Sequence, residues 1–384
     1  MSIALVTGSL APYTNRLYEA YSRAYGADLR VLQCAKVEPG RKWTVPKPQH
    51  LSVKTLRGMA VNKSEVSHVY VNPGILSALA RLRPDTVIID SFSPTMIAAG
   101  LYASANGLSL GMLIEGARDL DPGEHSWLHA KARRLIAPRA TFGICTSHCA
   151  REMMESWGLQ PGRGVIVRHC GSWDAPKVLR GFDERPFDLM ICGTLNANKN
   201  AMFFADVVER LGVEGFKPKV RIVGDGPLRA TLTERLAAAG VTAQFDGHQQ
   251  QDGIIEAYLS SKLMLFPTRS DTWGLVANEA MLCGTPVLAS PHAVSSRELV
   301  AGYGTGLVRE LDVGLWAKAA REMLASKEVW QSFFKRREEA MATFGIDNAV
   351  AGLAKAIEIG RAGRRGQRPQ SDATNSQVGT ASSP

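Results

Sequence analysis

The sequence lacks a paired-cysteine framework and a secretory leader, and both absences favour the same compartment. The six cysteines are scattered, most of them within apolar segments, as is typical of reduced core thiols in a cytoplasmic protein. Met1–Gly8 is a short strand-like run without the basic flank of a signal peptide. We therefore predict a cytoplasmic location.

Long apolar runs are also scarce. The uncharged stretch 95–114 has the length of a membrane span, but Asn106-Gly107 interrupts it, and serines and glycines dilute it. A helix followed by a buried strand is the better prediction there. With 384 residues, of which 45% are hydrophobic and 21% charged, the chain is globular and long enough for two domains.

Several binding signatures are missing as well. The sequence has no G-x-G-x-x-G fingerprint, no Asp-x-Asp pair at a strand end and no nucleic-acid module. The sequence also has no paired C-x2-C motif. One group of histidines and cysteines could form a metal site, but packing at strand edges explains it equally well: Cys145, His148, Cys149, His169 and Cys170. We expect no metal, no cofactor and no nucleic-acid partner.

The chain is organised around Leu265–Ser290, LFPTRSDTWGLVANEAMLCGTPVLAS. This stretch has the pattern strand, loop, helix and strand, with the helix over Leu275–Cys283 and the second strand over Val287–Ser290. Ligands of doubly wound sheets bind at the carboxyl ends of the strands. The loop Thr268–Gly274 and the free amides that open the helix therefore predict a crevice for a phosphate.

Two carboxylates flank those amides. Asp271 lies in the loop, and Glu279 lies about one and a half turns into the helix. A carboxylate would repel a phosphate, so both side chains suit sugar hydroxyls instead. The alternative is that Asp271 only starts the helix and that Glu279 is a solvated surface residue.

The D-x7-E spacing, the W-G-L-V opening, E-A-M and G-T-P-V-L-A-S closely resemble the nucleotide-binding signature of the GT-B retaining glycosyltransferases often grouped as family 4. The family's pattern is E-x7-E, from which Asp271 departs. The resemblance implies an α/β GT-B fold, in which two Rossmann-like domains with parallel sheets face a central cleft. It also implies a nucleotide diphosphate sugar as donor, with no metal required.

The resemblance further implies roles for individual residues. Glu279 would bind the ribose hydroxyls, and Asp271 would bind hydroxyls of the transferred sugar. Lys199 matches the lysine of the family's G-R-L-x-x-x-K segment, in which the arginine and the lysine brace the diphosphate. Thr194 replaces the arginine, so Arg269 or another basic residue would have to substitute for it. The backbone of the donor site would come from the turns and helix start at Gly8, Gly193, Gly224, Gly226, Gly274, Leu275 and Val276.

Glu115 follows a predicted core strand and stands where many relatives have a histidine near the reacting sugar. It would hold an acceptor hydroxyl or the donor sugar. An ion pair with Arg118 is the alternative.

The layout predicts an acceptor-side domain over residues 1–172, a linker over 173–186 and a donor-binding domain over 187–345. A terminal helix over 346–360 would cross back to the first domain. Residues 361–384 carry four arginines and lack apolar periodicity, so they are predicted to be a disordered basic tail.

The net charge of +9 favours anionic partners. Trp127–Ala137 is predicted to be an amphipathic helix with Lys131, Arg133 and Arg134 beside apolar residues. Relatives that act on lipid-linked acceptors use such a face against a membrane. Peripheral contact with the inner face of the membrane is one interpretation, and a solvated basic helix is the other.

Taken together, the sequence predicts transfer of a hexose-like sugar, with retention, to a glycan or lipid-linked acceptor during polysaccharide or glycoconjugate assembly. An epimerase or phosphorylase of the same fold is one alternative. A degenerate sugar-nucleotide-binding protein is another, which Thr194 and Asp271 make conceivable.

Overall fold

The computed structural model of the chain contains two parallel sheets and one small hairpin, flanked by helices. The structure describes residues 2–38, 44–64, 67–121 and 123–366. The strands of the first half are β1 Ser2–Thr7, β2 Asp28–Gln33, β3 Leu51–Thr55, β4 Met59–Ser64, β5 Ser67–Val71, β6 Thr86–Ile89, β7 Ser109–Ile114, β8 Phe142–Cys145 and β9 Gly164–Ile166. Its helices are α1 Pro12–Tyr25, α2 Ile75–Leu82, α3 Pro94–Ala105, α4 Trp127–Ile136 and α5 His148–Ser156.

The first sheet has seven parallel strands in the order β3-β2-β1-β6-β7-β8-β9, while β4 and β5 pair antiparallel as a separate hairpin. The predicted helix and buried strand within 95–114 are present as α3 and β7. No helix in the described ranges combines the length and the apolar character that crossing a membrane requires.

The second half repeats this architecture. Its strands are β10 Phe187–Cys192, β11 Val220–Val223, β12 Ala243–Gly247, β13 Ser261–Phe266, β14 Val287–Ala289 and β15 Gly306–Val308. Its helices are α6 Ala201–Val213, α7 Arg229–Ala238, α8 Gln251–Leu259, α9 Val276–Leu282, α10 Val313–Met323, α11 Lys327–Lys335, α12 Arg337–Phe344 and α13 Ile346–Gly366, with a π-helical turn at Ser296–Ala301. The strands form one parallel sheet in the order β12-β11-β10-β13-β14-β15.

Each sheet reverses its strand order at one point, between β1 and β6 in the first sheet and between β10 and β13 in the second. Loops diverge at such a reversal and leave a crevice at the carboxyl ends of the strands. Buried apolar side chains cover both faces of both sheets, as parallel sheets require. The fold therefore offers one crevice on each sheet, and the predicted site residues follow the strands that border these crevices.

The terminal helix α13 packs on the first sheet. Leu353 and Ile357 share a buried cluster with Ile88 of β6 and Phe142 of β8. The helix continues through Arg361 to Gly366, so the prediction that the disordered tail begins at Arg361 is wrong. Once the packed part of a helix has formed, each further residue adds a backbone hydrogen bond at little cost, and arginine and alanine are good helix formers. The rest of the predicted tail lies outside the described residues. The domain limits drawn from the sequence stay predictions.

The π-helical turn joins the second half to the first. Arg297 forms an ion pair with Asp119. Glu298, the next residue, forms an ion pair with Arg168 and accepts a hydrogen bond from the backbone amide of His148, which opens α5, at 2.8 Å. Two neighbouring side chains of opposite charge thus meet two separate partners across the cleft.

Candidate active site

The loops that follow β10 and β13 are joined to one another. The backbone amide of Arg269 donates to the carbonyl of Asn198 at 2.8 Å, and the Asn198 side chain donates to the carbonyl of Ser270 at 2.9 Å. These bonds place Lys199 Nζ 2.5 Å from Asp271 Oδ2. The structure therefore brings together two of the predicted site residues, which are 72 positions apart in the sequence. Arg269 is exposed on the same loop.

The glycines of this region serve backbone packing. Gly224 has a φ of +124°, and a Cβ there would lie 1.9 Å from the carbonyl oxygen of Gly193. A Cβ on Gly226 would lie 2.5 Å from the carbonyl oxygen of Leu195. The turns after β10 and β11 therefore touch backbone to backbone. The family resemblance implies that these glycines let the turns approach a nucleotide. The close contact between the two turns is a second reason why these positions need glycine.

The turn before α9 is equally constrained. Gly274 has a φ of +90°, and a Cβ on it would lie 2.7 Å from the Phe266 ring and 2.8 Å from the Ser295 hydroxyl. The helix begins directly after Leu275, at Val276, close to its predicted start. Asp271 Oδ1 accepts a hydrogen bond from the backbone amide of Trp273 at 3.3 Å, which fixes the carboxylate over the turn.

Glu279 is not the exposed side chain that a solvated interpretation requires, because only 8% of its surface is accessible. Its Oε2 accepts a hydrogen bond from the hydroxyl of Tyr258, on α8, at 3.1 Å. Burial raises the pKa of Glu279 from its ordinary value of 4.5 to about 8, and the Tyr258 hydrogen bond opposes part of that rise. The carboxyl group is therefore mainly protonated at neutral pH.

This raised pKa predicts a pH dependence of stability. Between pH 4.5 and about 8 the folded chain keeps a proton on Glu279 that the unfolded chain releases. The Glu279 contribution is therefore complete below pH 4.5 and is lost as the pH rises to about 8, by at most about 1.4 kcal/mol per pH unit. Urea midpoints measured at pH 6 and pH 8 should fall more in the wild type than in Glu279→Gln. An identical fall in the two proteins would contradict the burial of an ionisable group at this position.

Glu115 lies across the cleft, directly after β7. Its Oε1 is 3.2 Å from Nε2 of His169. Arg118 instead donates to the Ser156 hydroxyl at 2.7 Å, so the alternative that pairs Glu115 with Arg118 is wrong. The reason is the turn at Gly116, whose φ of +99° separates the two side chains and brings this loop against Thr272.

The turn after β1 holds Gly8 beneath the ring of Tyr70. A Cβ on Gly8 would lie 2.7 Å from that ring, so a larger residue there would have to displace the Tyr70 side chain. Beside it, the hydroxyl of Thr7 donates to Asp90, which follows β6. Burial raises the pKa of Asp90 to about 6, with a smaller contribution from the nearby Glu115. Asp90 is not among the residues predicted for the site, although an aspartate at the end of a core strand, DTVIID, was the available signal.

Helix α4 matches its predicted bounds closely but not its predicted face. Trp127 and Leu128 are 65% and 56% exposed, and Lys131 Nζ lies 4.7 Å from the centroid of the Trp127 ring. Arg133, in contrast, is buried, pairs with Asp121 at 2.7 Å and packs on the Trp157 ring at 4.4 Å. Arg133 must therefore be removed from the predicted basic face, since an inward ion pair and ring contact hold it.

Histidines, cysteines and carboxylates do not assemble into a metal-binding group of three or more anywhere in the described ranges. His169 instead packs between the rings of Tyr13 and Trp273, with both centroid distances at 5.2 Å. The loose histidine and cysteine group considered from the sequence is thus dispersed among packing contacts.

Two doubly wound domains, each with a crevice at the carboxyl ends of its parallel strands, are the architecture of the GT-B class. Solved structures agree on the fold. The Anabaena protein HepE in complex with UDP superposes with a TM-score of 0.72 over 93% of this chain and all of that one, at 15% identity.

Residues 186–326 match the family described as Glycosyl transferases group 1. The chain is 32% identical over 250 residues to the GDP-mannose-dependent alpha-(1-6)-phosphatidylinositol dimannoside mannosyltransferase of Mycobacterium tuberculosis, covering 61% of this chain and 64% of that protein. It is 28% identical over 245 residues to the sulfoquinovosyl transferase SQD2 of Arabidopsis thaliana, covering 57% and 45% respectively. The matched part of the chain thus spans less than two thirds of either relative. The predicted resemblance to the GT-B glycosyltransferases is confirmed: the chain has their fold, and its second domain matches the group 1 family.

Proposed function

We propose that the protein is a retaining glycosyltransferase of the family 4 type, which moves a sugar from a nucleotide diphosphate sugar to an acceptor hydroxyl. The observation that carries this proposal is the pair Lys199–Asp271, which two loops hold at the strand-order reversal of the second sheet. Such a reversal is where doubly wound sheets bind nucleotides. The binding of UDP by the structurally similar HepE supports the same choice of ligand.

Each member of the site then has a distinct task. The Lys199 ammonium binds the diphosphate, with the exposed Arg269 as a second cation, and exchanges part of its contact with Asp271 for phosphate oxygens. Asp271 is thereby left to accept hydrogen bonds from hydroxyls of the transferred sugar. Glu279, fixed on α9, meets the ribose hydroxyls. Glu115 faces the acceptor from the first domain.

The chemistry follows from what the site lacks as much as from what it holds. No described side chain stands in the position of an obvious nucleophile beside Lys199 and Asp271. The bond from the anomeric carbon to the diphosphate breaks as the acceptor oxygen bonds to the same face of the sugar. The departing phosphate oxygen takes the acceptor's proton. The protein supplies positioning and electrostatic support for the leaving diphosphate.

The acceptor in this proposal is a glycan or a lipid-linked glycoconjugate, met at the cytoplasmic face of a membrane during polysaccharide or glycoconjugate assembly. The exposed Trp127 and Leu128 beside Lys131 and Arg134 on α4 support a peripheral contact. One matched relative is named for a phosphatidylinositol dimannoside substrate, which supports an acceptor of the lipid-linked kind.

The direct test is incubation of the purified protein with radiolabelled UDP- and GDP-sugars and an acceptor panel, followed by determination of the anomeric configuration of the product. We expect an α-linked product from an α-linked donor. An inverted product would refute the retaining mechanism. An epimerised donor or release of a sugar phosphate would identify the enzyme alternatives, and the absence of both transfer and hydrolysis would leave a sugar-nucleotide-binding protein.

Transfer should proceed without a divalent metal. No Asp-x-Asp pair ends a strand in the sequence, and Lys199 lies where it can offset the diphosphate charge. Activity in excess EDTA should equal activity in magnesium within experimental error. Loss of transfer on chelation, with recovery on adding manganese, would contradict this prediction.

A further inference from the structure

His169 lies at the meeting point of the two domains, two residues beyond Val167 and just after β9. Its side chain is 9% exposed. The ring of Tyr13, on α1, packs edge-on against it at an interplanar angle of 78°, and the ring of Trp273 packs on it at 50°. The imidazole is thus held between one aromatic ring of the acceptor-side domain and one of the donor loop.

The imidazole faces Glu115. Its Nε2 lies 3.2 Å from Glu115 Oε1, and this nitrogen is buried and has no aligned hydrogen bond within the described ranges. Glu115 is more open, with 26% of its side chain exposed. Since the imidazole is wedged between two rings, it is the fixed partner of this contact. The contact therefore sets where the carboxylate rests.

The donor-binding domain also contacts the backbone of His169. The Asn278 side chain donates to the His169 carbonyl at 2.8 Å, and Asn278 Oδ1 accepts from the indole nitrogen of Trp273 at 2.7 Å. The backbone amide of Trp273 donates to Asp271 at 3.3 Å. Unbroken contacts thus lead from Asp271, through Trp273 and His169, to Glu115.

We propose that His169 is a positioning residue that holds the Glu115 carboxylate toward the acceptor and ties its placement to that of the donor loop Asp271–Gly274. This inference rests on the proposed function, in which Glu115 meets the acceptor and Asp271 meets the transferred sugar. An acceptor hydroxyl and a donor sugar must approach within bonding distance, so coupling of the two carboxylates ensures that both are placed at once. Errors of about 1 Å in such placement reduce turnover by up to about a hundredfold.

His169→Phe is the informative variant, because phenylalanine preserves an aromatic ring between Tyr13 and Trp273 and removes the ring nitrogens, including the Nε2 that faces Glu115. We expect kcat for transfer to fall by about tenfold to a hundredfold, while the affinity for free UDP or GDP and the KM for the donor stay unchanged. His125→Phe, at an exposed position outside the site, is the matched control and should retain full activity. His169→Asn is a second variant should the phenylalanine impair folding.

A purely structural role is distinguished by a double-mutant cycle. If His169 acts through Glu115, the double variant His169→Phe/Glu115→Gln should turn over at the rate of Glu115→Gln alone, within about twofold. Losses that multiply in the double variant would overturn the inference, and so would unchanged kcat in both His169 variants. Absence of transfer in the wild type would instead overturn the proposed function.

A second readout does not need turnover. The His169 ring signal in the ¹H–¹³C NMR spectrum, assigned by its loss in His169→Phe, should shift in Glu115→Gln because a carboxylate 3.2 Å away loses its charge. It should also shift when UDP or GDP is added, because the Trp273 ring moves with the donor loop. The His125 signal should stay fixed in both experiments. A His169 signal that responds to neither change would refute the inference even if the protein transferred no sugar.

Discussion

Glu279→Ala should weaken the binding of free nucleoside diphosphate by about ten- to a hundred-and-fifty-fold at pH 9, and by only about two- to tenfold at pH 6. Burial raises the pKa of this carboxyl to about 8, so it is ionised at the higher pH and protonated at the lower one. A hydrogen bond to a charged group is worth about 1.5–3 kcal/mol and a neutral one about 0.5–1.5 kcal/mol. Isothermal titration of UDP and GDP at both pH values measures the difference.

Asp271→Ala is the contrasting variant. Its partner, the transferred sugar, is absent from the free diphosphate, and its removal releases Lys199 from the ion pair of 2.5 Å. Nucleotide affinity should therefore stay the same or increase, while the transfer rate falls. Equal losses of affinity in Glu279→Ala and Asp271→Ala, or a loss in neither, would refute the division of roles between the two carboxylates.

Arg185→Met should lower the free energy of unfolding of the second domain by about 3–5 kcal/mol, because several buried acceptors lose a charged donor at about 1–3 kcal/mol each. Arg185 is 1% exposed, and no carboxylate pairs with it in the described ranges. Its guanidinium nitrogens instead donate to the carbonyls of Arg180, Tyr258, Ser261, Cys283 and Gly284 and to the Thr285 hydroxyl, at 2.8–3.2 Å. Methionine would remove the donor from all of these acceptors, of which the Tyr258 carbonyl would keep the Thr285 hydroxyl at 2.7 Å.

Arg185 gathers the carboxyl ends of α8 and α9, the helices that carry Tyr258 and Glu279. Burial accordingly lowers the pKa of the guanidinium to about 10, although it stays charged at neutral pH. Arg180→Met is the control. Arg180 lies five residues before Arg185 and forms an exposed ion pair with Glu256, so its replacement should change stability by at most about 1 kcal/mol. Urea unfolding followed by tryptophan fluorescence compares the variants, and a similar small loss in both would contradict the role given to Arg185.

The burial of Arg185 could not be predicted from the sequence. Its surroundings, rich in glycine, proline and charge, predict a solvated linker, and nothing local indicates that carbonyls from residues 258–285 will surround it. Hydrophobic periodicity and the positions of glycine and proline did predict the strand, loop and helix around Asp271 and Glu279, because local composition decides such short segments. The contact of Lys199 with Asp271 followed only once the strand order placed β10 beside β13.

The position of Glu115 at the end of a strand was likewise predicted from the sequence, whereas its contact with His169 was not. His169 lies 54 residues further along the chain, after a strand of only three residues. The sequence grouped it with His148 and three cysteines, which strand-edge packing or a metal site would explain, yet its surroundings come from α1 and the donor loop. Long-range packing of this kind leaves no periodic trace in a single sequence.

The two ion pairs of the π-helical turn differ in depth. Arg297 and Asp119 are 36% and 56% exposed, whereas Glu298 and Arg168 are 12% and 13% exposed. Mobile ions screen an exposed pair far more than a buried one. Rising ionic strength should therefore weaken the outer pair before the inner one, and the contact between the two halves should then depend mainly on Glu298 and Arg168. Because the neighbouring residues carry opposite charges, a slip of one position would set like charges face to face, so the two pairs together favour the register seen here.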